Sequence, residues 1–410
     1  MRVLFCSRRY FPAISGMSVY AQNLLRELVA AGHDVTMVSQ YRGDEAGTRV
    51  YGGGPPPEVP GVTVIGRRSL GEEAFAEPGG ADFERDVEDM LATMLAEHRR
   101  RPFDIFHAQY GYPNGWAVLR AAREAGVPAV VSIQGGDGHW VGSCCETHRL
   151  AMLHVLDHAD ALLIGCESFA GEVVDRLGVA RERFTIVPGA VDTARFHPPA
   201  TRREGSPLRL LYHGRVDRRK GALDFLEALA LLRGGGVAFD ATISGIGPDL
   251  DASKELAARL GLDIRFTGYA EYDAAPALYR AADIFVSPTY AEGFSNTILE
   301  AMASGLPSVS CHAVGVSDCL RDGENGLLVQ PGDVPALAAA LRRIIEDGAL
   351  RRRLGDTALE ECRRTYSWGA VGRRIMAVYE ELRGSRPDGA PEPALPRDPA
   401  CRFRAAPHLL

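Results

Sequence analysis

The sequence predicts an α/β protein of two domains, each a parallel sheet covered by helices on both faces. Three observations carry that prediction. Apolar strand-like runs alternate with helix-period segments through both halves of the chain. The alternation starts afresh after a polar, proline-containing stretch from His197 to Pro207. And 410 residues, 46% of them hydrophobic and 24% charged, are too many for one typical core.

In order, Arg2 to Cys6 reads as a buried strand, Val19 to Ala31 as a helix ended by Gly32, and Asp34 to Ser39 as a second strand. Gly52 to Pro60 interrupts as a loop. The strands resume at Val62 to Ile65, Ile105 to His107, Ala129 to Ile133 and Ala161 to Ile164. Between them, the segment Asp82 to His98 sets Val87, Met90, Leu91, Met94 and Leu95 on one helix face, and Arg99 to Arg101 suit the negative end of its dipole. Core packing is the expected use of that face, with peripheral membrane docking as the alternative. The second series has strands at Leu208 to His213, Asp240 to Ser244, Ile264 to Thr267 and Ile284 to Ser287, and a closing helix at Trp368 to Leu382. The expected divisions are 1–200, 201–367, a helix at 368–383, and a Pro-, Gly- and Arg-rich tail at 384–410 that is expected to be disordered.

Composition narrows the function. With 46 basic and 53 acidic residues and a formal charge of -7, the chain has no electrostatic footprint for nucleic acid. No apolar run reaches the ~18 to 20 residues of a membrane span, and the N-terminus has no signal-peptide pattern, so a soluble cytoplasmic protein is expected. The cysteines at 6, 144, 145, 166, 311, 319, 362 and 401 include no Cys-x-x-Cys, so neither a zinc site nor a disulfide framework is expected.

The strongest chemical signal is the run Ala291-Glu292-Gly293-Phe294-Ser295-Asn296, which follows a strand and opens a helix that continues through Glu300 to Pro307. A helix start exposes unpaired amides and the positive end of the dipole, so it suits a diphosphate, and Gly293 allows close approach to the main chain. Glu292 and Glu300 can serve different ends of one ligand, because carboxylates accept from sugar hydroxyls. The bland alternative makes Glu292 a cap and Glu300 a solvated helix residue. A glycosidase pair fits poorly, since eight helical steps span ~12 Å and such pairs stand ~5 to 9.5 Å apart. A second cluster, His213-Gly214-Arg215 with Lys220-Gly221, follows the first strand of the second series, where open α/β sheets bind ligands. Arg215 can grip phosphate oxygens with two donors and Lys220 adds a point charge; alone, the cluster could be a solvated turn. Glycine turns at Gly245-Ile246-Gly247 and Gly268-Tyr269 bring main chain toward a base or phosphate.

Together these motifs resemble retaining glycosyltransferase family 4 of the GT-B fold. The first half agrees through Phe11-Pro12, Ser15-Gly16, Gly32-His33-Asp34-Val35 and Val187-Pro188-Gly189. The resemblance spans roughly residues 1–382. It implies two Rossmann-like domains facing across a cleft, the first for the acceptor and the second for the donor, with the final helix crossing back to the first. It implies that Arg215 and Lys220 hold the donor diphosphate, that Glu300 holds the ribose, and that Glu292 with the amides of Gly293, Phe294, Ser295 and Asn296 holds the transferred sugar and phosphate. Gly16 then offers an amide to the donor, and the segments at Gly245, Gly268 and Tyr269 meet the nucleotide. Such enzymes retain anomeric configuration and use no catalytic metal; the nucleotide diphosphate sugar is a substrate, with no separate cofactor.

Two departures from the family pattern stand out: Ser15 replaces a usual glycine, and Gln134 replaces a usual histidine that precedes glycine. Gln134 cannot carry a proton, which makes Asp137, and after it His139, candidate acceptor contacts. The polar and aromatic loops containing Gln109, Tyr110, Trp116 and Trp140 suit a small hydroxyl-rich acceptor. The expected function is transfer of a sugar to such an acceptor, with bacterial antibiotic biosynthesis as the leading setting. Alternatives are glycolipid or surface-polysaccharide synthesis, a sugar-nucleotide epimerase, or a donor-binding protein without transfer. Oligomeric state stays open.

Overall fold

The computed structural model describes residues 1–8, 16–41, 56–71, 81–203, 205–270, 273–398 and 401–405. Phe11, Pro12, Ser15 and part of the loop expected at 52–60 lie outside the described residues. The chain forms two compact units, Met1–Pro188 with Val371–Leu410, and Gly189–Ala370.

Unit 1 is built on β1 (Arg2–Arg8), β2 (Asp34–Tyr41), β3 (Val62–Arg68), β4 (Ile105–Gln109), β5 (Ala129–Ile133), β6 (Ala161–Ile164) and β7 (Phe184–Ile186). The strands lie parallel in the order β3-β2-β1-β4-β5-β6-β7. Helices α1 (Gly16–Ala30), α2 (Phe83–Arg100), α3 (Trp116–Ala125), α4 (Gly136–His139), α5 (Glu146–His158) and α6 (Glu167–Leu177) connect them. Every residue of β4 and β5 is buried, the pattern of a sheet covered on both faces. The edge strand β3 instead exposes Arg67 and Arg68. On α2, Val87, Met90, Leu91, Met94 and Leu95 are buried, so this face packs into the core.

Unit 2 repeats the plan with β8 (Leu208–His213), β9 (Phe239–Ser244), β10 (Ile264–Gly268), β11 (Ile284–Ser287), β12 (Ser308–Cys311) and β13 (Gly326–Val329). The order is β10-β9-β8-β11-β12-β13, all parallel, so the winding reverses between β8 and β11. Helices α7 (Ala222–Gly234), α8 (Leu250–Arg259), α9 (Ala275–Ala281), α10 (Asn296–Ala303), α11 (Val334–Glu346) and α12 (Gly348–Glu361) complete it. Its core gathers Leu210, Phe225, Leu229, Ile243, Ile284, Val286, Val309, Leu341 and Leu354; each such side chain contributes about 1.5–3 kcal/mol of burial.

The division falls before the 189–200 segment, whereas the sequence places it after residue 200. The reason is local pairing: Val191 bridges Ser367, its amide donates to the Tyr366 carbonyl at 2.8 Å, and the Phe196 ring meets Tyr279 edge-on at 5.5 Å. Helix α13 (Trp368–Leu382) returns the chain to unit 1, where the Tyr379 hydroxyl lies 2.5 Å from His107 Nδ1. Burial holds that histidine neutral, with a pKa lowered to about 3.

The disordered tail expected at 384–410 is corrected for its described residues. Asp388 pairs with Arg123 at 3.0 Å and with His158 at 2.6 Å, and Glu392 pairs with Arg120. A short helix, α14 (Arg402–Ala405), carries Arg404, whose 1% exposed side chain makes two bonds to Glu84 at 2.6 and 2.8 Å and one to the Ala81 carbonyl. The tail has no hydrophobic period to detect because its anchors are charged groups with fixed partners. Among the described residues, no helix is long and apolar enough to cross a membrane.

Candidate functional site

Unit 2 brings its sequence motifs to one place, the crevice at the carboxyl ends of β8 and β11, where the strand order reverses. The turn after β8 is knitted to the segment after β11. Tyr290 donates its amide to the Arg219 carbonyl at 2.9 Å, and Gly221 (φ 71°) passes so close that an added Cβ would stand 2.1 Å from the Pro288 carbonyl oxygen. Asp217 organises the turn by accepting from the Arg219 amide at 2.8 Å and pairing with the Arg219 side chain. Burial opposes this charge, but the Arg219 hydrogen bonds prevail and hold the Asp217 carboxyl below its usual range.

Lys220 Nζ lies 2.7 Å from Glu292 Oε2 and donates to the Ala291 carbonyl at 3.1 Å. The sequence reading gave these two residues separate roles; the fold couples them as a prepositioned pair. Arg215 remains 54% exposed, with Nε 3.4 Å from Asp217, so its guanidinium keeps donors open to a ligand. Directly beyond, Ser295 precedes α10 without a side-chain capping bond, and α10 begins at Asn296. Phe294 packs on Tyr366 at 5.6 Å and against Gly189, which fixes the entry to the helix. The crevice thus sets two cations, one carboxylate and a helix N-terminus side by side, an arrangement suited to phosphate and to sugar hydroxyls.

Glu300 sits on the second turn of α10 and accepts a 2.7 Å hydrogen bond from the Tyr279 hydroxyl. Burial raises its pKa to about 7, against the lowering effects of Tyr279 and Arg195. It is therefore not the solvated helix residue of the bland alternative. On the other side of β8, the Gly214 amide donates to Ser244 and the Gly245 amide to Gly268, at 3.0 and 2.8 Å. Gly245 (φ 139°) tolerates no side chain, since a Cβ would stand 1.8 Å from the Gly214 carbonyl oxygen. Gly268 ends β10 and Tyr269 after it is 43% exposed. Asp217 and Tyr279 were not assigned roles from sequence; Asp217 could have been found as the cap of a short turn, whereas Tyr279 has no local signal.

Two predicted residues lie in unit 1. Gly16 is exposed at the start of α1. Asp137 is corrected: it is fully buried, and its carboxylate accepts from the amides of Gly111, Gln134 and Gly135 at 2.9, 3.0 and 2.9 Å. Its acceptor capacity is spent on closing the loop, so it does not present a carboxylate to an acceptor. Burial raises its pKa while those amides pull it back. His139 is likewise engaged, with Nδ1 3.0 Å from Glu172. Gln134 instead joins a neutral chain in which Gln109 donates to Gln134 at 2.7 Å and to the Met17 carbonyl at 2.9 Å, while Ser7 donates to Gln109.

Comparison with known proteins agrees with this architecture. The family model described as "Glycosyl transferase 4-like domain" matches residues 15–190, and that described as "Glycosyl transferases group 1" matches residues 207–347. The chain is 29% identical to the glycogen synthase of Mycobacterium tuberculosis, over 97% of this chain and 98% of the relative. It is 30% identical to the D-inositol 3-phosphate glycosyltransferase of Salinispora tropica, over 89% of this chain and 81% of the relative. Its fold matches that of the Anabaena protein HepE, solved in complex with UDP, with a TM-score of 0.70 and 18% identity over 93% of this chain and 100% of the other. With a phosphate-suited crevice at the switch point of unit 2 and relatives matched along most of its length, the chain belongs to the group 1 glycosyltransferases of the GT-B fold.

Proposed function

We propose that this glycosyltransferase uses a nucleotide diphosphate sugar, retains the anomeric configuration, and stabilises the leaving diphosphate with Arg215 and Lys220 in place of a divalent metal. The observation that carries the reading is the 2.7 Å Lys220–Glu292 pair beside the N-terminus of α10. In this reading the amides of Gly293 to Asn296 receive a phosphate, Glu292 accepts from hydroxyls of the transferred sugar, and Glu300 accepts from the ribose. The exposed turns at Gly245 and Gly268-Tyr269 border the base. The UDP held by HepE supports a nucleotide ligand for this fold.

The reaction breaks the bond between the anomeric carbon and the β-phosphate oxygen. The acceptor hydroxyl bonds to that carbon from the same face, and its proton passes to the departing phosphate. New negative charge collects on the β-phosphate, so fixed cations there stabilise the transition state more than the bound donor. The names of the relatives favour a glucan or cyclitol-phosphate acceptor, and the expectation of antibiotic glycosylation is not carried forward. The test is incubation with a panel of nucleotide sugars, with and without such acceptors, followed by product separation and assignment of the new anomeric centre. Acceptor-dependent release of the nucleotide with retained configuration is expected. Conversion of the donor without acceptor would identify an epimerase instead, and an inverted product would overturn retention.

A further inference from the structure

The fold gathers a group that spacing along the chain does not show. Among the described residues, Cys144, Cys145, His148 and Cys401 place one ligand atom each within 4.8 Å of one another. Cys144 Sγ stands 4.0 Å from Cys145 Sγ and 3.2 Å from His148 Nδ1, and Cys401 Sγ stands 3.4 Å from the same nitrogen. A tetrahedral zinc with sulfur at about 2.3 Å and nitrogen at about 2.0 Å has sulfur–sulfur edges of about 3.8 Å and sulfur–nitrogen edges of about 3.5 Å. These three separations fall close to those edges.

Local structure explains how the four meet. Cys145 directly precedes α5 and His148 lies in its first turn, so the helix start brings the imidazole back toward both thiols. Cys401 arrives from the far end of the chain, held there by Arg404 on Glu84. His148 and Cys401 are at most 1% exposed, and the imidazole is packed by Tyr112 at 4.5 Å, Phe83 at 5.7 Å and Phe403 at 6.4 Å. All four sulfur and nitrogen ligands are soft or borderline donors, and no carboxylate belongs to the group.

We propose that Cys144, Cys145, His148 and Cys401 form a closed tetrahedral site for a zinc-class divalent cation, which fastens the C-terminal segment to unit 1. Four protein ligands leave no open position, so the role is structural. The site also braces the chain that follows the Gln134 to His139 loop. Because its ligands are separated by most of the chain, the metal closes a long loop and its binding energy becomes folding energy.

The test uses the full chain purified without chelator, with metal content measured by mass spectrometry and thiols counted after denaturation. About one zinc per chain is expected. Cys144→Ser and Cys401→Ser should each lower metal retention by about tenfold or more, while Cys311→Ser, altering a buried thiol of β12, should not. Should the variants fail to fold, cobalt(II) exchanged into the wild-type chain decides: tetrahedral thiolate bands support the site and an octahedral spectrum overturns it. Stripping the metal should speed tryptic cleavage at Arg397 and Arg402, with zinc but not magnesium reversing the effect. Unchanged cleavage would overturn the anchoring. Metal-free chains with all thiols reactive, or with a disulfide among these cysteines, would overturn the site itself.

Discussion

The two sheets reverse their winding in the same way, yet the loops at the two reversals carry different chemistry. Between β8 and β11, Arg215, Lys220 and Glu292 present charge around a helix start, with Glu300 on the next turn held by the Tyr279 hydroxyl. At the carboxyl ends of β1, β4 and β5, Ser7, Gln109 and Gln134 form a neutral chain, and the carboxylate of Asp137 is spent on backbone amides. Under the proposed function, this difference divides the labour between donor and acceptor. A diphosphate needs fixed charge that stays in place through the reaction, whereas a hydroxyl-rich acceptor needs shape and neutral donors and acceptors.

Removing charge from the first region should have the largest effect. Lys220→Ala is expected to lower kcat by ~10² to 10³-fold, the range for loss of one preorganised electrostatic donor. Arg215→Lys should impair turnover too, since lysine loses the two-pronged grip on phosphate. Steady-state kinetics on folded variants check both, and near-wild-type rates would reduce the crevice to a solvated turn. A chelator followed by magnesium sharpens the same point. Magnesium prefers oxygen ligands and does not refill a thiolate site, so rescue of activity by magnesium would place a metal at the phosphates and contradict the account.

The corresponding change in the second region should act on stability instead. Asp137→Asn turns an acceptor into a donor facing buried amides and is expected to cost about 2 to 3 kcal/mol. Denaturant unfolding reads this, and a variant as stable as wild type would refute the loop-closing role. Glu300 predicts a smaller, pH-dependent effect. Its folded pKa of about 7 lies above the ordinary 4.5, so the native state binds the extra proton. The stability this contributes is complete below about pH 4.5 and is lost as pH rises through about 7. Glu300→Gln, which keeps an acceptor for Tyr279, should gain about 1 to 2 kcal/mol relative to wild type between about pH 5 and pH 8. A pH-independent difference would contradict the buried-carboxyl assignment.

Much of this was legible before the fold was seen. Strands at Ala129–Ile133, Ala161–Ile164, Leu208–His213 and Ile284–Ser287 carry mainly apolar runs, and their predicted bounds coincide with the observed ones. β7 is three residues long and β12 reads Ser-Val-Ser-Cys, so neither offers a run that periodicity detects. Arg215, Lys220 and Glu292, which the fold brings to adjoining strand ends, were legible as candidates because each follows a recognisable strand. What the sequence misread depends on partners that the fold supplies. Asp137 reads as an exposed loop carboxylate, but the amides of Gly111, Gln134 and Gly135 converge on it, and the tail looked unstructured because Arg404 finds Glu84 across 320 positions.

The measurement that tests the central claim most directly is calorimetric titration of UDP and GDP into wild type, Glu300→Ala and Asp137→Asn without added divalent metal. The account predicts stoichiometric binding of one of these nucleotides to wild type, weakened by ~1.5 to 3 kcal/mol in Glu300→Ala and unchanged in folded Asp137→Asn. Equal affinity in wild type and Glu300→Ala, or a loss confined to Asp137→Asn, would contradict it by moving the nucleotide away from the charged crevice of unit 2.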